Sequence, residues 1–404
     1  MTRSGLGFGP GTLVAAAFIG PGTVATCTLA GAGFGFALLW ALLFATIATI
    51  VLQEMAARLG TVGRTGLGEA LREDITAPPL SWPVFALVGL AILAGNAAYQ
   101  GGNLAGAALG AELLGAPKDG RPAAVLAVAL LAAALLWHGR YRHIERLLVV
   151  LVALMAAAFV GAAVLARPDL GAMARGLFVP SLPDGATLTA LALIGTTVVP
   201  YNLFLHASAA KARWSGAEEL DAARRDTGLS IGIGGLVSMM IVAAAATTLF
   251  QSGAATGGVD DLAAALAPAA GRFAAVLVGL GLLAAGLTSS ITAPLATGYA
   301  LAGIMGWDSE GRGLAVRATS LVIVLIGSAL ALSGFRPLDL IVAAQAANGL
   351  LLPIIAGFLL WTMNRRGRLG AHANGWAANL AGGAVLLVTI LLGGRLIGLA
   401  FGLI

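Results

Sequence analysis

Charged residues are scarce in this chain of 404 residues, where Asp, Glu, Lys and Arg together make up only 10% of the sequence. Soluble globular proteins carry about a quarter of their residues charged. Here, apolar runs of about 20 residues, the length of a bilayer crossing, recur from end to end. The composition therefore excludes a soluble enzyme with a large core and predicts an integral membrane protein. The net charge of +5 lies in short loops and is no sign of nucleic-acid binding.

Cysteine is nearly absent, since Cys27 is the only one in the sequence. An intramolecular disulfide is therefore excluded, and we interpret Cys27 as a packing residue because the apolar run continues past it. That run also lacks a small-residue cleavage site followed by a polar segment, so we do not interpret it as a signal peptide. The chain has no ATP-binding motif and no soluble domain, and we expect neither an enzyme, nor a primary pump, nor a cofactor.

Apolar segments predict an all-α membrane protein with about eleven spanning helices in a single transporter domain, residues 1–404. The third and eighth spans are long enough to tilt or to extend beyond the bilayer. A loop of small residues containing Asp260 and Asp261 joins the seventh span to the eighth. The spans lie roughly at 11–33, 35–59, 82–114, 122–138, 145–166, 187–210, 229–251, 272–304, 314–333, 338–363 and 376–401.

Basic residues in the loops predict the orientation of the spans. The loops after spans two, four, six and ten, and the loop before span nine, carry most of the Lys and Arg. Because positive residues favour the cytoplasm, we expect a multi-pass protein of the cell (inner) membrane with a cytoplasmic N-terminus and an external C-terminus. Spans one and six then cross in opposite directions. This predicts a leucine-transporter-like inverted repeat, about 11–166 and about 187–363, followed by an extra helix at about 376–401.

Two spans are interrupted near their centres by proline. The first contains Gly20-Pro21-Gly22-Thr23, and the sixth contains Val199-Pro200-Tyr201-Asn202. Proline removes a backbone donor and clashes with the preceding turn, so in hydrocarbon such a break is tolerated only where it faces protein or a polar cavity. Paired breaks in corresponding halves of a membrane chain indicate the substrate site of a transporter. Neither break contains an acidic residue.

Four stretches carry a family resemblance that covers nearly the whole chain. They are Phe18 to Gly33, Leu52 to Gly60, Val199 to His206 and Gln345 to Pro353. In these residues the chain resembles the Nramp (natural resistance-associated macrophage protein) family of metal transporters. The resemblance implies a leucine-transporter-like fold with broken first and sixth helices, and transport by alternating access.

The chain departs from this family at the metal-binding positions. The family's first-helix motif reads Asp-Pro-Gly-Asn, but Gly20 and Thr23 replace the Asp and the Asn here. The sixth-helix motif reads Met-Pro-His-Asn, but Val199 and Tyr201 replace the Met and the His. Transition metals prefer carboxylate, imidazole or sulfur ligands, so we predict that this metal site is lost. The third helix, where family members commonly carry acidic residues, offers the neutral Asn96, Tyr99, Gln100 and Asn103.

The groups that remain at the breaks suit a small anion or a polar solute. The half-helix after Gly22 points backbone amides and the positive end of its dipole at the break, and no carboxylate neutralises it. We therefore expect a secondary active transporter for bicarbonate, a short carboxylate or a polar solute, coupled to H⁺ or Na⁺. The predicted substrate-binding residues are Gly20, Gly22, Thr23, Gln100, Asn103, Tyr201, Asn202 and Gln345.

Several of these side chains also have a structural interpretation. Thr23 could cap a half-helix. Asn202 could hydrogen-bond the backbone groups that the helix break leaves unpaired. Gln100, Asn103 and Gln345 could bond between helices or hold a kink. The candidates for binding the coupling ion are His206, which matches the family's second sixth-helix His, and the hydroxyls of Thr288 and Ser289, for which packing is the alternative.

Two other functions stay open. Divalent cation transport is the first, with Mg²⁺ fitting better than Mn²⁺ because Mg²⁺ holds its waters tightly and needs fewer protein ligands. The second is a non-transporting membrane sensor, which would leave both helix breaks unexplained and would lack a signalling domain. The expected partners are the lipid bilayer, the ion or small-molecule substrate and the coupling ion, and we expect a monomer.

We predict that the loop between spans ten and eleven is cytoplasmic and that the C-terminus is external, because Arg365, Arg366 and Arg368 lie in that loop. Fusions made after Arg368 and at the C-terminus test this. A phosphatase active only outside the cytoplasm should work at the C-terminus alone, and a reporter that fluoresces only in the cytoplasm should work after Arg368 alone. The opposite pattern would invert the proposed topology.

Overall fold

The computed structural model describes residues 9–11, 19–76, 78–138, 142–253, 258, 260–307 and 313–402, without the side chains of 78–80 and 142–146. The described residues are mostly helical, and a π-helical turn, Ala246–Phe250, extends α10. The helices are α1 Pro21–Phe34, α2 Leu39–Thr61, α3 Leu67–Asp74, α4 Pro78–Leu113, α5 Arg121–His138, α6 Arg142–Ala166, α7 Leu170–Phe178, α8 Thr187–Thr197, α9 Pro200–Arg213, α10 Leu220–Ala245, α11 Asp260–Ala264, α12 Ala267–Ala270, α13 Ala274–Met305, α14 Leu314–Ala331, α15 Pro337–Met363, α16 Arg366–Leu369 and α17 Trp376–Ala400.

Ten helices among the described residues are long and apolar enough to cross a membrane. They correspond to predicted spans two to eleven, with α8 and α9 forming the two halves of span six. Of predicted span one, the structure describes the second half, α1, whereas residues 12–18 lie outside the described part of the chain. The all-helical membrane fold predicted from the sequence is confirmed.

Several predicted boundaries differ from the structure: the second span begins at Leu39 instead of residue 35, and the seventh begins at Leu220 instead of residue 229. The third span begins at Pro78 instead of residue 82, because the fixed backbone angle of proline suits the first turn of a helix. The segment with Asp260 and Asp261, predicted as a loop, begins the short helix α11. Carboxylates stabilise the first turn of a helix because they interact with its positive end. The small residues of this segment favoured the prediction of a loop over that of a helix.

The broken sixth span lies at the centre of the bundle. In an apolar stretch of 18 residues within 187–213, 89% of the residues are buried. In a stretch of the same length in α17, only 28% are buried. On α17, Trp376 is 81% exposed and Leu391 is 61% exposed. Exposed apolar side chains on a spanning helix face lipid tails, in which they are as well solvated as in a core. The bundle therefore encloses α8 and α9 and presents α17 to the bilayer.

The loops predicted to be cytoplasmic meet at one end of the bundle. The Arg58 guanidinium bonds Glu54 at 3.1 Å, and Arg224, from the loop predicted after span six, bonds the same carboxylate at 2.9 Å. Arg368 bridges Glu73 at 2.6 Å and Asp74 at 2.7 Å. The loops predicted after spans two, six and ten thus lie at the same end of the bundle.

We predict that Gly195→Ala destabilises the protein, because a Cβ at Gly195 would overlap the backbone carbonyl oxygen of Gln345 on α15. Overpacking of this kind costs about 1–3 kcal/mol. The matched control is Gly232→Ala on α10, where a Cβ would meet nothing within 4 Å. Thermal unfolding in detergent should show a lower midpoint for Gly195→Ala and an unchanged or higher one for Gly232→Ala. Equal midpoints would contradict the tight contact between α8 and α15.

Candidate functional site

The backbone leaves helical geometry at both proline motifs. Between α8 and α9, Val198 has φ −93° and ψ 75°, and Val199 has φ −81° and ψ 117°. Before α1, Gly20 is extended, with φ −106° and ψ −174°. A residue that precedes proline is pushed out of the helical region by the proline ring. The second motif thus produces the break at the predicted position, and at the first motif the described helix α1 begins at Pro21, as predicted.

Both half-helices that begin at these breaks have uncapped N-termini. Each starts with proline, Pro21 in α1 and Pro200 in α9, and neither has a side-chain cap or an acidic residue in its first turn. An α-helix presents about half a positive charge at its N-terminus. The two helix starts therefore favour negative charge or hydrogen-bond acceptors.

A direct hydrogen bond joins the two breaks. The hydroxyl oxygens of Thr23 and Thr196 lie 2.8 Å apart, although 173 positions separate the two residues in the chain. Both side chains are buried. Thr23 follows the first break and Thr196 precedes the second, so this bond holds α1 against the end of α8.

The Gln345 side chain lies against the first break. A Cβ on Gly22 would overlap the Gln345 carboxamide, so the glycine leaves room for that side chain. Gln345 is only 1% exposed, and α15, which carries it, packs against α1, α8 and α9. The structure thus brings the predicted residues Gly22, Thr23 and Gln345 together at the start of α1.

Several buried amide side chains near the breaks have polar atoms without a partner. Within the described part of the chain, both amide atoms of Asn202, Asn103 and Gln345 make no hydrogen bond, nor does Gln100 Oε1. Each unpaired buried group costs about 1–3 kcal/mol. Folded proteins rarely leave such groups unmatched, and each of them calls for an explanation such as a ligand or ordered water. Four of the predicted substrate-binding residues share this property.

The third-helix residues on α4 face α13. Gln100 Nε2 lies 3.5 Å from the carbonyl oxygen of Ser290, and Asn96 donates to the Thr297 hydroxyl at 2.5 Å. The ring centroids of Tyr99 and Tyr201 are 5.4 Å apart. Asn96 thus has an interhelical bonding role, whereas Gln100 keeps an acceptor available.

Two of the three candidates for the coupling ion, His206 and Thr288, hydrogen-bond protein groups. His206 Nδ1 lies 2.8 Å from Gln53 Oε1, and its other ring nitrogen makes no hydrogen bond within the described residues. Thr288 donates to the carbonyl of Ala284 in its own helix, as packed threonines commonly do. Ser289 is buried. The coupling role of His206, Thr288 and Ser289 stays a prediction.

Outside the spans, Glu69 on α3 binds the far end of α9. Its carboxylate accepts hydrogen bonds from Lys211 Nζ at 2.7 Å and from the Gly66 backbone at 3.1 Å. Burial acts to raise the pKa of Glu69, but these hydrogen bonds and the Lys211 charge outweigh it, so the pKa lies below its ordinary value. Glu69 and Lys211 therefore form an ion pair at neutral pH.

Ligands typical of a transition metal are sparse in this structure. Among the residues that it describes, no group of three or more His, Cys, Asp or Glu side chains is placed to hold a metal ion. Amide and backbone carbonyl oxygens are present at the breaks, and such oxygens are ligands for hard cations. The described site is therefore neutral and oxygen-rich.

Sequence reasoning missed two partners of the predicted residues. Thr196 bonds Thr23, and Gln53 bonds His206. A hydroxyl one turn before a proline break is a usable signal for Thr196. Gln53 lies in one of the stretches that carry the family resemblance, but its partner is 153 positions away and no local pattern predicts the pairing.

Comparisons with known proteins agree with this architecture. A family model described as natural resistance-associated macrophage protein-like matches residues 11–398. A relative from Pectobacterium carotovorum, named divalent metal cation transporter MntH, is 29% identical over 390 residues, covering 95% of this chain and 92% of the relative. A protein of the same name from Burkholderia ambifaria is 29% identical over 400 residues, covering 97% and 88%.

Solved structures show the same fold. A manganese transporter from Eremococcus coleocola aligns with a TM-score of 0.75 at 22% identity, covering 97% of this chain and 87% of that one. The transporter MhsT in complex with L-phenylalanine aligns with a TM-score of 0.61 at 17% identity, covering 95% and 98%. The predicted leucine-transporter-like fold is confirmed.

We predict that the hydroxyls of Thr23 and Thr196 are energetically coupled. Thr23→Val and Thr196→Val should each destabilise the protein, and the double variant should cost about 1 kcal/mol less than their sum, the net value of one hydrogen bond. Thermal unfolding of all four proteins in detergent measures the coupling by a double-mutant cycle. Strictly additive effects would mean that the bond contributes nothing to holding the two breaks together.

Proposed function

The chain belongs to the natural resistance-associated macrophage protein (Nramp) family, and from this membership we propose that it is a secondary transporter whose substrate binds between the two helix breaks. The observation that carries the proposal is the pair of unpartnered buried amides, Asn202 and Gln345, that lie at two uncapped helix starts. A polar substrate would supply the missing hydrogen bonds of Asn202, Gln345 and Asn103. Alternating access would then expose this site to one side of the membrane at a time.

The charge at the breaks favours a small anion or a polar solute. Gly20, Pro21, Gly22 and Thr23 contain no acid, and the first turn of α9 contains none either. A dication that loses its water in a low-dielectric site without a counter-charge pays a large desolvation penalty. A small oxyanion such as bicarbonate or a short carboxylate instead meets amide donors and the positive ends of two helices.

Divalent cation transport is the second candidate, and the names of the relatives favour it over an anion. Both MntH relatives are named divalent metal cation transporters. A carboxamide can present its oxygen as readily as its nitrogen, and the end of α8 offers carbonyl oxygens at the break. Mg²⁺ that keeps several of its waters would suit such a neutral, oxygen-rich site better than Mn²⁺.

Coupling to H⁺ or Na⁺ is part of the proposal. His206 is a buried ionisable group on α9 and lies within eight positions of the second break. Ionisable residues inside a membrane protein are commonly functional. The hydroxyls of Thr288 and Ser289 on α13 are the candidates for Na⁺. The protein would act as a monomer in the inner membrane.

Uptake into proteoliposomes decides between the two substrate classes. The panel consists of bicarbonate, acetate, Mg²⁺ and Mn²⁺, each tested with and without a Na⁺ or pH gradient. We expect gradient-driven uptake of an anion and no Mn²⁺ uptake. Saturable Mg²⁺ or Mn²⁺ uptake without anion uptake would establish the second candidate instead, and no uptake of any member would count against both.

We predict that Gly20→Asp lowers uptake of an anionic substrate by at least about tenfold. A unit charge about 5 Å from a bound ion is worth about 3 kcal/mol at an effective dielectric constant of 20, and the aspartate would also cancel the helix-start charge. Gly20 is extended, so a side chain is allowed by its backbone.

The matched control is Gly20→Asn, which adds nearly the same volume without charge. The anion proposal requires that Gly20→Asp impair uptake far more than Gly20→Asn does. Equal losses would indicate a steric effect, as expected for a neutral solute. Increased Mg²⁺ uptake in Gly20→Asp with unchanged anion uptake would identify a cation transporter.

A further inference from the structure

The short helix α7 lies at the end of the bundle opposite the ion pairs. Its nine residues extend over about 14 Å, too little to cross a bilayer. It follows the end of α6 at Ala166 and packs against α2, whose first turn contains Trp40. The Trp40 ring nitrogen donates to the carbonyl oxygen of Ser181, just after α7, at 2.8 Å. Because α7 joins the ends of spanning helices, it lies at the level of the membrane surface.

One flank of α7 is packed against the bundle. Met173, Gly176 and Leu177 follow at spacings of three residues and one, so they share this flank. Met173 and Leu177 pack against the apolar core. A Cβ on Gly176 would overlap the carbonyl oxygen of Phe36, so the helix approaches the turn after α1 closely. These contacts fix which side of α7 faces away from the protein.

A second flank is apolar and exposed. Leu170, Ala174 and Phe178 follow at spacings of four residues, and Leu170 and Phe178 are each 74% exposed. Val164 and Leu165 in the last turn of α6 are exposed as well. The apolar flank of α7 therefore continues the lipid-facing surface of the preceding spanning helix.

The third flank borders a cavity of about 630 Å³ between α7 and the turn after α1. Gly171 and Arg175 line it from α7, and Phe36 lines it from the turn. Among the residues that the structure describes, the exposed Arg175 guanidinium has no hydrogen bond or ion pair. Asp169 also lines the cavity, but its carboxylate accepts the backbone amides of Gly171 and Ala172 at 2.8 and 3.1 Å as the cap of α7. The cavity thus offers one uncompensated positive charge.

We propose that α7 is an interfacial helix that binds an anionic phospholipid, with the lipid phosphate on Arg175 and an acyl chain along Leu170, Ala174 and Phe178. A guanidinium matches phosphate oxygens with paired donors. Helices with one apolar and one charged flank lie in the membrane interface. This lipid site does not depend on the proposed transport function.

The order of the flanks around α7 favours a lipid as the occupant. At 100° per residue, Phe178 and Arg175 lie about 60° apart around the helix axis. A phospholipid has the same arrangement, with a negative headgroup directly beside its chains. The apolar flank also runs on from the exposed end of α6, which lipid already covers.

Fluorescence quenching by brominated lipids tests the position of α7. The sole native cysteine is removed by Cys27→Ala, and Ala174→Cys carries a bimane label on the apolar flank. The protein is placed in phosphatidylcholine nanodiscs whose lipids carry bromine either near the headgroup or near the chain end. We expect strong quenching by the shallow bromines and weak quenching by the deep ones. A label on Ser215→Cys, in the exposed loop after α9, is the control and should escape both.

The same label measures headgroup preference. Brominated phosphatidylglycerol or brominated phosphatidylcholine is added as a minor component to unbrominated phosphatidylcholine nanodiscs. Phosphatidylglycerol should associate about fivefold more strongly, since one basic residue contributes about 1 kcal/mol at an anionic lipid surface. Arg175→Gln should abolish this preference. Arg272→Gln is the matched control: it removes another arginine, which contacts the Phe273 ring and does not line the cavity, and should leave the preference intact.

Four results would overturn the lipid site. An unquenched label at position 174 would place α7 in water. Equal association of the two lipids, or the same effect from Arg175→Gln and Arg272→Gln, would remove the role of Arg175. Loss of the preference on adding inorganic phosphate would identify a site for free anions. Weaker quenching in nanodiscs with two copies of the protein than in those with one would assign the apolar flank to a second copy.

Discussion

Two helix breaks inside a medium that offers no water to the backbone are the constraint on which the rest of this structure depends. Backbone groups freed by Pro21 and Pro200 cost several kcal/mol each if they stay unmatched in hydrocarbon. The breaks are therefore buried at the centre of the bundle, where α15 and α4 surround them. The Thr23–Thr196 hydrogen bond and the fit of Gln345 against Gly22 follow from that burial, because only close packing brings polar groups within reach.

The same burial makes the charge of a few side chains decisive for the substrate. Family membership establishes a transporter fold, but function resides in the site, and the side chains of the proposed site are uncharged. Unpartnered carboxamides can turn either a donor or an acceptor toward a ligand, so the electrostatic field of the two helix starts becomes the main discriminator between an anion and a cation. In a low-dielectric interior one added carboxylate would reverse that preference.

The two ends of the half-helix α9 are held in different ways. At the break, Tyr201 contacts Tyr99 through a ring pair, and at the other end Lys211 is bound by Glu69 in a partly hydrated ion pair. A substrate shifts an equilibrium between two arrangements only if it binds them with different affinity. Asn202, in the same turn as Tyr201, would couple substrate contact to the position of α9.

The sequence alone determined the number and positions of the spans, because a bilayer demands about 20 apolar residues per crossing and this signal is local. It also determined both breaks, since Pro21 and Pro200 act on their own turns. It could not determine the start of the third span at Pro78 or the helix at Asp260, where short-range signals were weak. Only the tertiary structure decided that Thr23 meets Thr196, that Gln53 meets His206, and that two tyrosines from separate helices face each other. Such contacts join residues far apart in the chain through the packing of whole helices, and no periodicity along the sequence encodes them.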